Sequence, residues 1–121
     1  MIKNTMDLSE LAVIDRELGL RVTGNNRELA EEMLQMLVKN LATDIQKIQD
    51  AYREKNNQLL GEQLHRLHGA VSYCGTPRLK KVVAALEVAV KQKQDESLSE
   101  LLDLLAQESQ LLVEAVRINQ D

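Results

Sequence analysis

The sequence predicts an all-α domain, an antiparallel up-down four-helix bundle with a short leading N-terminal helix. Three observations carry that expectation. Leu, Ala, Glu, Gln and Lys dominate, all of them good helix formers, and the chain has a single proline. Apolar residues recur at three- and four-residue steps in four separate stretches, the spacing of one buried helical face. Short polar connections join the stretches, which favours antiparallel neighbours. With 121 residues, 44% hydrophobic and 28% charged, the chain suits one globular domain over 1–121, divided into an N-terminal helix and cap (1–24) and the bundle (25–118).

The elements follow in order. Leu11 to Gly24 reads as a short helix or turn that Gly24 ends. Asn25 and Glu28 resemble a capping box opening the first long helix, whose stripe is Leu34, Leu37, Leu41, Ile45, Ile48 and Tyr52. Met33 and Met36 flank that stripe and read as core filler. Arg53 to Gln58 is a polar connection, followed by a second stripe of Leu60, Leu64, Leu67, Val71 and Cys74, with Gly75 as the stop. Thr76 and Pro77 read as N-cap and first helical residue of the next helix, which buries Leu79, Val82, Val83, Leu86 and Val90. After the polar turn KQKQDE, Ser97 and Glu100 form a second capping-box pattern for a last helix facing inward with Leu101, Leu105, Leu112 and Val116.

Composition excludes several functions. A net charge of −4 and 2% aromatic residues argue against nucleic-acid binding, because neither a phosphate-attracting surface nor a base-stacking platform is present. No apolar run approaches the ~20 residues of a membrane span, and Met1 to Glu10 has no apolar signal-peptide core. Cys74 is the single cysteine, so no internal disulfide or multi-cysteine metal site is expected, and a cytoplasmic setting is the simplest expectation.

The chemistry concentrates in QLLGEQLHRLHGAVSYCG, residues 58–75, which holds both histidines. Gly61 and Gly69 fall inside a helical pattern, where each costs about 1 kcal/mol relative to alanine. At about 100° per residue, His65 stands roughly 140° from Leu60, on the solvent side. Gly61 lies one turn before it, Gly69 one turn after and Ser72 two turns on, while His68 lies toward the core edge. The glycines therefore clear space for a large group to reach the His65 imidazole. An ordinary exposed imidazole is largely neutral at neutral pH, and only the neutral ring has a nucleophilic lone pair.

His65-Arg66-Leu67-His68-Gly69-Ala70, followed by Gly75, resembles the signature of histidine-containing phosphotransfer (HPt) domains. LHRLHGAVSYCGTPRLKK is most similar to the C-terminal HPt module of hybrid sensor kinases of the BarA/GacS type, and the resemblance covers nearly the whole chain. His68 stands where many members carry Lys. The resemblance implies a phosphorelay carrier in two-component signal transduction. His65 would be phosphorylated by the aspartyl phosphate of a receiver domain and would pass the group to a response regulator. Glu87, the lone carboxylate in VVAALEVAV, would accept a hydrogen bond from Nδ1 and leave Nε2 to attack. Its alternative is an ordinary pair with Lys91. His68 and Gly69 would support the site. Gly61, Arg66, Ser72, Arg78, Lys80 and Lys81 would form the docking surface. Mg²⁺ would sit on the partner receiver, with no cofactor on this chain. No autonomous kinase activity is expected, since no glycine-rich nucleotide loop is present. A free docking face implies a monomer without direct membrane contact, tethered to the inner membrane only if a parent sensor kinase carries it.

Two other readings compete. Glu62, His65 and His68 offer a Glu-x-x-His step, but a di-iron bundle needs a second such step and no third histidine exists. A protein-interaction adaptor with an incidental histidine would use the same small-residue face.

Overall fold

Each of the four apolar stripes folds as one helix. The computed structural model describes residues 6–118. It contains α1 (Arg16–Val22), α2 (Arg27–Arg53), α3 (Asn57–Val71), α4 (Pro77–Lys91) and α5 (Asp95–Ile118), with no strand among the described residues. No helix is long and apolar enough to cross a membrane among those residues. The first five residues of the expected leading segment lie outside the described residues.

Helix ends show where local chemistry was ambiguous. The cap of α2 is Asn26, not Asn25: the Asn26 side chain accepts from Leu29 N–H at 3.0 Å. Asn25 takes a left-handed φ of 64°, which asparagine tolerates, and completes the turn after Gly24. Asn56 caps α3 in the same way through Leu29's counterpart, Leu59, at 3.1 Å. Thr76 and Pro77 occupy the expected N-cap and first positions of α4, but the Thr76 hydroxyl makes no capping bond and is buried without a hydrogen-bond partner among the described residues. Helix α5 begins at Asp95, so Ser97 and Glu100 lie inside it and are not a capping box. Asp95 and Glu96 instead place negative charge in its first turn, where the helix dipole favours it. The leading segment is helical only over Arg16–Val22, capped by Asp15.

The core takes Leu34, Leu37, Leu41, Ile45 and Ile48 from α2, Leu60, Leu64, Leu67 and Val71 from α3, Leu79, Val82, Val83 and Leu86 from α4, and Leu98, Leu102, Leu105, Leu112 and Val116 from α5. Each such side chain contributes about 1.5–3 kcal/mol of burial free energy. Tyr52, Val90 and Leu101 pack at the edge of this core, while Ala51 and Ala89 are fully inside it. Met33 also packs at the edge, but Met36 is 60% exposed, a correction to its reading as core filler. One residue before Leu37, it is turned about 100° away from the stripe. Helix α2 packs on α3, α3 on α4, α4 on α5, and α5 back on α2, with α1 resting on α2.

The turn from α3 to α4 is the tightest junction. Gly75 has φ 64°, and a Cβ there would lie 2.5 Å from the Asp15 carbonyl oxygen and 2.8 Å from the Gly19 nitrogen. Asp15 N–H donates to the Gly75 carbonyl at 2.8 Å. The start of α1 is thereby seated directly on the turn that orients α3 and α4. Gly75→Ala is expected to cost more than about 1 kcal/mol, since strain and a backbone clash coincide. A urea unfolding midpoint equal to the parent's would show that the turn yields freely.

Candidate functional site

Helix α3 carries Gly61, His65, Arg66, His68 and Gly69, with Ser72 as its C-terminal cap. Helix α4 carries Arg78, Lys80, Lys81 and Glu87. Because Leu60, Leu64, Leu67 and Val71 fix the inner face of α3, His65 must point outward, and its side chain is 84% exposed. Leu79, Val82, Val83 and Leu86 fix α4 in the same way and leave Glu87 at the rim, 15% exposed.

Glu87 joins the two helices. Its Oε2 lies 3.2 Å from His65 Nδ1, and its Oε1 meets His68 Nδ1 in a closer contact. An ionised carboxylate only accepts hydrogen bonds, so the nitrogens facing it carry the protons. The alternative pairing of Glu87 with Lys91 is not formed among the described residues. His65, bonded through Nδ1, turns Nε2 to solvent. A neutral ring held this way leaves its Nε2 lone pair accessible.

The glycines are open. A Cβ at Gly69 would meet nothing within 4 Å, and one at Gly61 would touch only Val90 Cγ1 at 3.9 Å. Packing inside the chain therefore requires neither glycine. Arg66 and Lys80 are exposed and make no hydrogen bond or ion pair among the described residues. Lys80 lies two turns before Glu87, on the same side of α4 by helical periodicity. Lys81 Nζ reaches the Asp7 carbonyl at 3.4 Å, and the Ser72 hydroxyl donates to the His68 carbonyl at 2.8 Å.

Arg78 requires a correction. It was expected to offer its charge to a partner, yet its guanidinium grips Glu108 of α5 bidentately, Nε to Oε1 at 2.9 Å and Nη2 to Oε2 at 2.7 Å. Glu108 is buried, and the hydrogen bond to it raises the Arg78 pKa further. Removing one member would strand the other charge, so Arg78 holds α4 to α5. Sequence reasoning missed Glu108, although it falls on the stripe between Leu105 and Leu112, where a carboxylate demands a cation. It also missed that His68 shares Glu87.

These features define a class: a helical carrier with one exposed, carboxylate-oriented imidazole. The comparisons with known proteins point the same way. A family model described as Hpt domain matches residues 32–117. The sensor histidine kinase GacS of Pseudomonas protegens is 37% identical over 95 residues, covering 78% of this chain and 10% of GacS. The signal transduction histidine-protein kinase BarA of Escherichia coli K12 is 31% identical over 117 residues, covering 95% of this chain and 13% of BarA. The chain thus spans about a tenth of the length of these relatives. A crystal structure of the HPT domain from a sensor hybrid histidine kinase of Shewanella superposes with a TM-score of 0.72 at 27% identity, over 90% of this chain and 97% of that one. The chain belongs to the Hpt domain family, and is a phosphorelay carrier domain of two-component signalling.

Cys74, on the core stripe as expected, donates through Sγ to the Ala70 and Met33 carbonyls. Burial pushes its thiol up from the ordinary 9.0 to about 11. The folded chain favours the neutral thiol, so this contribution to stability is complete below pH 9.0 and is lost as the pH rises toward about 11. Alkylation by iodoacetamide at pH 8 is expected to be slow in the folded chain and fast in urea. Equal rates in both states would refute the burial.

Proposed function

We propose that His65 is the phosphoryl acceptor. It takes the group on Nε2 from an aspartyl phosphate of one receiver domain and yields it to the aspartate of another. The observation that carries this is the 84% exposed ring with Nδ1 bonded to Glu87 at 3.2 Å. The Nε2 lone pair forms the N–P bond, and the P–O bond to the aspartate breaks with its electron pair leaving on that carboxylate. Nδ1 keeps its proton, so the phosphorylated ring is cationic and faces the Glu87 carboxylate. Phosphoryl transfer asks for positioning and charge neutralisation more than covalent chemistry from the protein.

Mg²⁺ and the acidic pocket belong to the receiver in this reading. Gly61 and Gly69 keep the approach clear, and the open space at Gly69 supports that role. Arg66 and Lys80 supply unpaired positive charge toward the acidic pocket, with Lys81 and Ser72 at the margin of the docking face. The four long helices form an antiparallel up-down bundle. The closed ring of helix contacts and the three short connections favour that arrangement. The domain works as a monomer in the cytoplasm, alone or as part of a hybrid sensor kinase, and has no kinase activity of its own.

Transfer from a phosphorylated receiver in Mg²⁺ should place an acid-labile, base-stable label on the parent and none on His65→Gln, with both folded by circular dichroism. Label persisting on His65→Gln would displace the site. No label from several receivers would move the reading to a non-catalytic adaptor. Gly69→Leu should slow transfer roughly tenfold or more, the cost of misplacing a docked reactant, without loss of helix content. Unchanged transfer would refute the clearance role.

A further inference from the structure

Glu87 serves two imidazoles at once. Oε1 takes Nδ1 of His68 and Oε2 takes Nδ1 of His65. Since the carboxylate only accepts, both rings hold their protons on Nδ1 when neutral. That matters because an unconstrained neutral imidazole prefers its proton on Nε2, the nitrogen that must be bare to attack phosphorus. An exposed histidine left to itself would thus spend most of its time in the unreactive tautomer. The hydrogen bond made by one ring nitrogen decides the state of the other.

The two contacts are unequal in their surroundings. The His68 ring is 32% exposed and Glu87 is 15% exposed, whereas His65 is 84% exposed. The more buried pair is the better shielded from competing water and is the firmer anchor. A glutamate has three rotatable bonds, and a solvent-facing ring alone would hold it poorly. With Oε1 fixed by His68, Oε2 is presented to the ring three residues earlier on the same helix, within reach on one face.

We propose that His68 is a positioning residue for transfer: it holds Glu87 so that His65 is kept in the Nδ1–H tautomer with Nε2 free. The proposal rests on His65 being the phosphoryl acceptor. His68 itself exchanges no bond with phosphorus. When the N–P bond forms, no proton moves, because Nδ1–H already faces Oε2 and the positive charge that develops on the ring meets the carboxylate there.

Nitrogen-15 spectra of the ring nitrogens of the full chain at pH about 9, where an ordinary histidine is neutral, read the tautomer directly. The parent should show His65 protonated at Nδ1. His68→Leu, which removes the donor, should shift His65 toward the Nε2–H form and slow transfer from a phosphorylated receiver about tenfold, the lower end of what losing the outer hydrogen-bond partner of a metal-bound histidine costs. His68→Asn, whose amide nitrogen stands near the place of Nδ1, should restore both readings. An unchanged His65 tautomer in folded His68→Leu would overturn the proposal, as would an Asn variant that behaves like the Leu one. Failure of the parent itself to take label would instead overturn the acceptor reading, and would be seen before any variant is compared.

Discussion

The surface chemistry depends on one carboxylate held at the rim of an apolar helix face. Glu87 interrupts a run of valine, alanine and leucine, and the cation one turn on, Lys91, forms no ion pair with it among the described residues. At 15% exposure it is shielded enough for its bonds to be stronger than they would be in water, yet it stays close enough to the surface to reach an exposed ring. Hydrogen bonds to a charged group are each worth about 1.5–3 kcal/mol. That is ample to orient a side chain and too little to dictate the fold. The carboxylate therefore acts on ring geometry, and the packing of the helices acts on the carboxylate.

That dependence explains why the site sits on two helices and not on a loop. The leucines of α3 and the leucines and valines of α4 fix the rotation of each helix about its axis. The Gly75 turn, locked against Asp15 and Gly19, fixes how the two helices meet. Arg78 and Glu108 hold α4 from its other side. A shift of one residue in either helix would move a ring by about 100° and separate it from Glu87. Two glycines on the reactive face cost about 2 kcal/mol together in helix propensity. The buried stripes offset that cost without any contribution from the reactive face.

Periodicity made the four long helices, their inner residues and the outward direction of His65 legible in the sequence, because a buried stripe fixes the opposite face by geometry. Glu87 was legible as a carboxylate out of place in an apolar run. The cap of α2 was not, because Gly24, Asn25 and Asn26 offer adjacent residues that all suit a turn or a cap, and backbone strain chooses between them. Ser97 failed as a cap because α5 begins at Asp95, two residues earlier, which puts Ser97 inside the helix. The fate of Arg78 was hidden for a different reason. Its partner lies 30 residues away on another helix, and no local pattern aims a guanidinium. The sharing of Glu87 was hidden likewise, since spacing puts His65 and His68 on neighbouring faces but leaves open which nitrogen of each turns inward.

In the reading proposed for His65, a carrier that must give up what it accepts holds its ring by one carboxylate. Among the described residues, no group of three or more His, Cys, Asp or Glu side chains is placed to hold a metal ion. The His65 ring meets a single carboxylate oxygen, Oε2 of Glu87. The nearest ring, His68, turns its Nδ1 to the same carboxylate. In the reading proposed for His65, a ring committed to Glu87 favours the geometry of attack, and the charge balance of the phosphoryl group falls to the docked receiver.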